Sequence, residues 1–127
     1  MGEASVWIEA PDSAKEGSTV DVLVNVLNLN VFTPFYFKTE IFVDGDRIFS
    51  KEETIETFPY LKEYSVSFKM RAYDVVVLAW VERWVIDWEY DCSDSKAVSL
   101  ELVPEFAGSI TRKELDYDAV RVPFPVQ

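Results

Sequence analysis

Apolar and polar side chains alternate along four separate stretches of the chain. Val20, Val22, Val24 and Val26 alternate with Asp21, Leu23, Asn25 and Leu27. Phe35, Phe37, Ile41 and Val43 share one parity, against Tyr36, Lys38, Glu40 and Asp44. Tyr64, Val66, Phe68 and Met70 alternate with Ser65, Ser67, Lys69 and Arg71. Val98, Leu100 and Leu102 alternate with Ser99 and Glu101. A period of two is the signature of a strand with one face on a core, because successive side chains point to opposite faces. The stretch from Asp74 to Val81 is apolar at both parities, which predicts a central strand covered on both sides. Trp80, Trp84 and Trp88 lie four apart, as on a buried helix, but the Val75-Val76-Val77 run favours strand.

Turn signals separate these runs. Lys15-Glu16-Gly17-Ser18 precedes the first long strand, and Asp44-Gly45 joins Val43 to Arg47-Ile48-Phe49 as a tight hairpin. Asp91-Cys92-Ser93-Asp94-Ser95 reads as a polar turn, and residues 51–62 as a longer acidic connection containing Phe58-Pro59-Tyr60. The expected strands are 4–10, 18–29, 35–44, 47–50, 63–71, 74–85 and 96–103. About seven short strands at this spacing predict an all-β sandwich of two sheets. Residues 1–103 form the sandwich in this reading, and residues 104–127 form an extension or arm.

Composition narrows the chemistry. The 127 residues suit one domain, and 49% of them are hydrophobic, enough to build a core without disulfides or a metal. The net charge of −11 disfavours nucleic acid and anionic lipid and favours a basic partner or calcium. No apolar run reaches the length of a membrane span. Residues 1–10 lack the basic flank and apolar stretch of a signal peptide, so either the chain is not secreted by that route or it is an excised piece. Histidine is absent, which excludes histidine-based triads, dyads and metal sites. The single cysteine, Cys92, has no intrachain partner, and its neighbours Asp91 and Asp94 disfavour the thiolate.

Several segments carry a family resemblance. Ala14-Lys-Glu-Gly-Ser-Thr-Val-Asp-Val-Leu-Val-Asn-Val-Leu-Asn28 has a glycine, alternating valines and a closing asparagine, and Ile41-Phe-Val-Asp-Gly45 follows as a hairpin. Tyr73-Asp-Val-Val-Val77 gives an aromatic start to the penultimate strand, the place of a tyrosine corner. Asp91-Cys-Ser-Asp-Ser-Lys-Ala97 precedes the last strand. Together they resemble the immunoglobulin-like domains of the CARDB type, a cell-adhesion-related domain of bacteria and archaea. The acidic residues Asp91 and Asp94 depart from that family's asparagines. The resemblance implies an immunoglobulin-like fold and a non-enzymatic adhesion or spacer module, at the cell surface or in a virus or phage particle.

Three groups are candidates for function. Asp87, Glu89, Asp91 and Asp94 are a candidate calcium set, with a solvated acidic loop as the competing reading; no other cofactor is expected. Trp84, Trp88 and Tyr90, beside Trp80, are a candidate aromatic platform for a protein or a carbohydrate. The competing reading puts Trp80 in the core and the others beneath the C-terminal segment. Val120, Val122, Phe124 and Val126 share a parity in an apolar segment that Pro123 and Pro125 keep extended. Thr111-Arg-Lys-Glu114 ahead of it has the form of a capping box. Extended, the arm reaches on the order of 80 Å, far enough to cover its own sandwich or a neighbouring subunit. The expected function is thus a non-catalytic structural module acting through protein contacts. A carbohydrate-binding module using Trp84 and Trp88 is the first alternative, and a carboxylate-based glycoside hydrolase the second.

Overall fold

Residues 2–58 and 60–102 are described by the structure, a computed structural model. They form eight strands and, among the described residues, no helix: β1 (Ala4–Glu9), β2 (Ser13–Lys15), β3 (Thr19–Asn28), β4 (Phe35–Val43), β5 (Asp46–Ile55), β6 (Tyr60–Lys69), β7 (Val75–Trp84) and β8 (Trp88–Glu101). One sheet has the order β1-β3-β6, the other β2-β8-β7-β4-β5. All pairings are antiparallel except the short β2–β8 pair.

The alternations place the core as expected. Val20, Val22, Val24 and Val26 of β3 face Phe37, Ile41 and Val43 of β4 and Val75, Val77, Ala79 and Val81 of β7 in one buried cluster. Each fully buried valine stabilises the fold by roughly 1.5–2 kcal/mol. The Asp44-Gly45 hairpin also forms. Val43 pairs with Asp46, leaving two residues in the turn with positive φ, 49° and 86°. That is the left-handed geometry of a primed turn, which glycine adopts without strain.

Polar clamps close both sides of the sandwich. On one side the Tyr64 hydroxyl of β6 donates to Glu53 Oε2 of β5 at 2.6 Å, so one hydrogen bond spans the two sheets. On the other side carboxylates of β8 accept backbone N–H groups along the free edge of β1. At one pole the fully buried Asn28 donates to the carbonyls of Ile55 and Glu56 at 3.0 and 2.9 Å and accepts from the Asn30 N–H.

Four expectations need correction. β5 runs on to Ile55 and β6 begins at Tyr60, so the acidic connection shrinks to residues 56–59. β5 is an edge strand, and a free edge tolerates charges such as Lys51, Glu52 and Glu53. Residues 91–95 lie inside β8 and do not form a turn; the chain reverses at Val85-Ile86-Asp87 instead. β7 is central in its sheet but covers a core on one face alone, since Val76 on the other face is exposed. Tyr73 is exposed, so it forms no buried tyrosine corner.

Candidate functional site

The outer face of β7 follows from its inner one. Val75, Val77, Ala79 and Val81 are spent on the core, which turns Leu78, Trp80, Glu82 and Trp84 away from it. β4 brings Lys38 beside Glu82 and Glu40 beside Trp80 on the same face, with Tyr36 one step further along. β8 comes in from the other side through a bulge. Val81 pairs with Cys92, but Glu82 pairs with Tyr90, so Asp91 is the extra residue. A bulge re-aims side chains. Here it turns Asp91 inward and puts Tyr90 and Trp88 outward beside Glu82 and Trp84.

The result is a strip of five aromatic rings across β4, β7 and β8. Tyr36 stacks on Trp88 at 5.6 Å between centroids, Trp88 meets Trp84 edge-on at 5.2 Å, and Trp80 meets Tyr90 at 4.5 Å. Polar groups fix the rings. Lys38 Nζ lies 4.7 Å over the Trp88 ring and 3.2 Å from Glu82 Oε1, while Trp80 Nε1 donates to Glu82 Oε2 at 3.1 Å. The Tyr90 hydroxyl and Ser93 Oγ share a hydrogen bond at 3.0 Å. Trp84 and Tyr90 remain 45% and 52% exposed, so part of this apolar surface faces solvent.

The structure places Trp84, Trp88 and Tyr90 on one outer face, and Trp80 lies there with them and is no core residue. Tyr36, Lys38 and Glu82 were missed as members of the site. The signal for Tyr36 was present, since it shares the outward parity of Lys38 and Glu40.

The acidic run is dispersed over different tasks. The Asp91 side chain is fully buried and accepts from the Glu3 and Ala4 N–H groups at 2.8 and 2.9 Å and from Arg83 Nη1 at 2.9 Å. Glu89 lies 3.6 Å from Arg83 Nη2. Asp94 accepts from the Ile8 N–H at 3.2 Å, and Asp87 from the Trp88 N–H at 2.8 Å. Among the described residues no three His, Cys, Asp or Glu side chains converge as a metal site. Cys92, in the same run, packs against the core, and its thiol is pushed up to about 12 by burial, with the Asp91 charge adding to the effect. That thiol is poorly suited to nucleophilic attack. Val120, Val122, Phe124 and Val126 lie outside the described residues.

No protein-family model matches the chain, and no curated protein does. Among solved structures, the crystal structure of a CARDB domain from Pyrococcus furiosus, in complex with di-metal ions, superposes with a TM-score of 0.66 at 15% identity, covering 78% of this chain and 93% of that one. The solution NMR structure of that domain gives 0.65 at 18% identity, covering 77% and 94%. At such identities the likeness is one of fold, and the conclusion is correspondingly one of fold: the chain is an immunoglobulin-like β-sandwich built as the CARDB domain is built.

Proposed function

We propose that the chain is a non-catalytic interaction module that binds protein through the aromatic strip on the outer face of β4, β7 and β8. The strip itself carries the reading. Tyrosine and tryptophan rings, with a cation over one of them, are the side chains that dominate protein interfaces. Their arrangement favours protein over polysaccharide. A flat glycan surface wants coplanar rings; Tyr36 and Trp88 come within 27° of that, but Trp84 and Trp88 are inclined at 72° and Trp80 and Tyr90 at 47°. The absence of histidine, the passive Cys92 thiol and the engagement of Asp91, Asp94 and Glu89 within the fold support a role without catalysis. For the same reason the di-metal complex of the Pyrococcus domain is not carried over to this chain. A cell-surface adhesion protein or a virus particle is the setting this proposal favours.

A photo-crosslinking residue in place of Tyr90 tests the assignment. Adducts to protein that disappear on Trp84→Ala and Trp88→Ala support it. Retention of a glycan on an array, lost with the same substitutions, would overturn it in favour of carbohydrate.

A further inference from the structure

Three connections open at one pole of the sandwich: residues 29–34 between β3 and β4, the connection following Ile55, and the β7–β8 turn at residues 85–87. They are held together, since the Phe58 N–H donates to the Asn30 carbonyl at 2.9 Å. The Tyr36–Trp88 and Trp84–Trp88 contacts hold the third connection against the start of β4. Loop tips are ordinarily polar. These are not: Leu29, Val31, Phe32, Phe58, Val85 and Ile86 are all exposed, Phe32 at 89% and Ile86 at 87%. An apolar surface of this kind marks an interaction site. Its neighbours Glu3, Glu56 and Asp87 are acidic, which argues against an anionic bilayer and for a partner with positive charge.

The chain carries a matching segment. Residues 119–127 place Val120, Val122, Phe124 and Val126 on one parity, and their only charged side chain is Arg121. The route of the chain decides which copy they reach. β8 runs its 14 residues away from the apolar pole, about 45 Å of extended strand, and Leu102 follows at the opposite pole. The spacer, residues 103–118, covers at most about 55 Å. Doubling back onto its own pole would require that spacer to be nearly straight, a large loss of conformational freedom. A second copy stacked in line presents its apolar pole next to Leu102 without that demand.

We propose that residues 119–127 of one copy cover the apolar loop pole of the next, giving a head-to-tail contact. Such a contact is heterologous: each copy donates one surface and receives on another. It goes beyond the strip and uses a different face of the molecule.

Sedimentation velocity of the intact chain over a range of concentrations tests it. Two double variants are needed, Phe32→Asp with Ile86→Asp at the pole and Val122→Asp with Phe124→Asp in the segment, each confirmed as folded by circular dichroism. The intact chain is expected to associate progressively, and either variant to weaken association at least about thirtyfold. Mixing the two variants should restore one good contact and stop at a 1:1 dimer. Four results would overturn the proposal: an intact chain monomeric throughout, association indifferent to Phe32 and Ile86, a mixture that forms no dimer, or binding to phosphatidylcholine vesicles lost on Phe32→Asp. Crosslinking through Tyr90 is read separately, so failure here leaves the strip assignment standing.

Discussion

Asp91→Ala isolates the clamp that fastens β1 to the rest of the sandwich. The wild-type carboxylate is fully buried and shared by three donors, the Glu3 and Ala4 N–H groups and Arg83 Nη1. Truncation leaves two backbone donors at the β1 edge without an acceptor, costing about 1–1.5 kcal/mol each. Arg83 keeps Glu89 at 3.6 Å and is partly exposed, so its loss is smaller, about 1 kcal/mol. The total is about 3–4 kcal/mol, a large share of the stability of a domain this size. Asp91→Asn keeps the shape and one acceptor and should cost about half as much. Urea titration at neutral pH measures both losses. Hydrogen exchange locates them, with the Glu3 and Ala4 amides losing protection before those of β3. If Asp91→Ala costs less than about 1 kcal/mol and those amides stay protected, the carboxylate is not what holds β1.

Three further outcomes follow from the geometry. Tyr64→Phe removes the hydrogen bond to Glu53 and should cost about 1.5 kcal/mol by urea titration. Burial raises the Glu53 pKa, but the hydrogen bonds from Tyr64 and Lys62 outweigh it and leave the carboxyl below its ordinary value of 4.5. The wild-type advantage over Tyr64→Phe should therefore be full above about pH 4.5 and shrink as the pH falls, and a difference constant down to pH 2 would contradict the linkage. Gly45→Ala forces a side chain onto a φ of 86° and should cost about 1–2 kcal/mol, whereas an unchanged denaturation midpoint would show that the turn relaxes freely. Cys92 should react with a thiol reagent at pH 8 far more slowly in the folded protein than in urea. Because its folded value is raised, its contribution to stability is full below the unfolded pKa near 9 and lost as pH rises toward 12; equal labelling rates in both states would refute its burial.

The sandwich was legible where one face alone meets the core. The valines of β3 and the Phe37, Ile41 and Val43 positions of β4 announce their parity directly, and the Asp44-Gly45 turn needs nothing beyond its own backbone. Legibility failed where tertiary contacts override local character. The polar run from Asp91 to Ser95 resembles a turn, yet Asp91 and Asp94 are polar because β1 supplies them with N–H donors from far along the chain. The reversal at Val85-Ile86 resembles a strand because its apolar side chains are exposed rather than packed. The three residues of β2 are too few to show any period. The aromatic strip was half visible. Trp84, Trp88 and Tyr90 stand out by their spacing, but the bulge at Asp91 shifts residues 88–90 by one against the rest of β8, and that slip decides which side chains join them.

The placement of β1 has a mechanical consequence. β1 begins at the loop pole, and β8 delivers the chain to the opposite one. A pull between these two points runs along the strands and not across them. The six residue pairs between β1 and β3 are then loaded in shear, all at once, rather than unzipped one after another. Asp91 grips β1 at Glu3 and Ala4, where that force enters. Resistance to stretching is governed by the unfolding barrier, so a molecule tethered in this way would yield late and abruptly, with the β1 edge as its fuse.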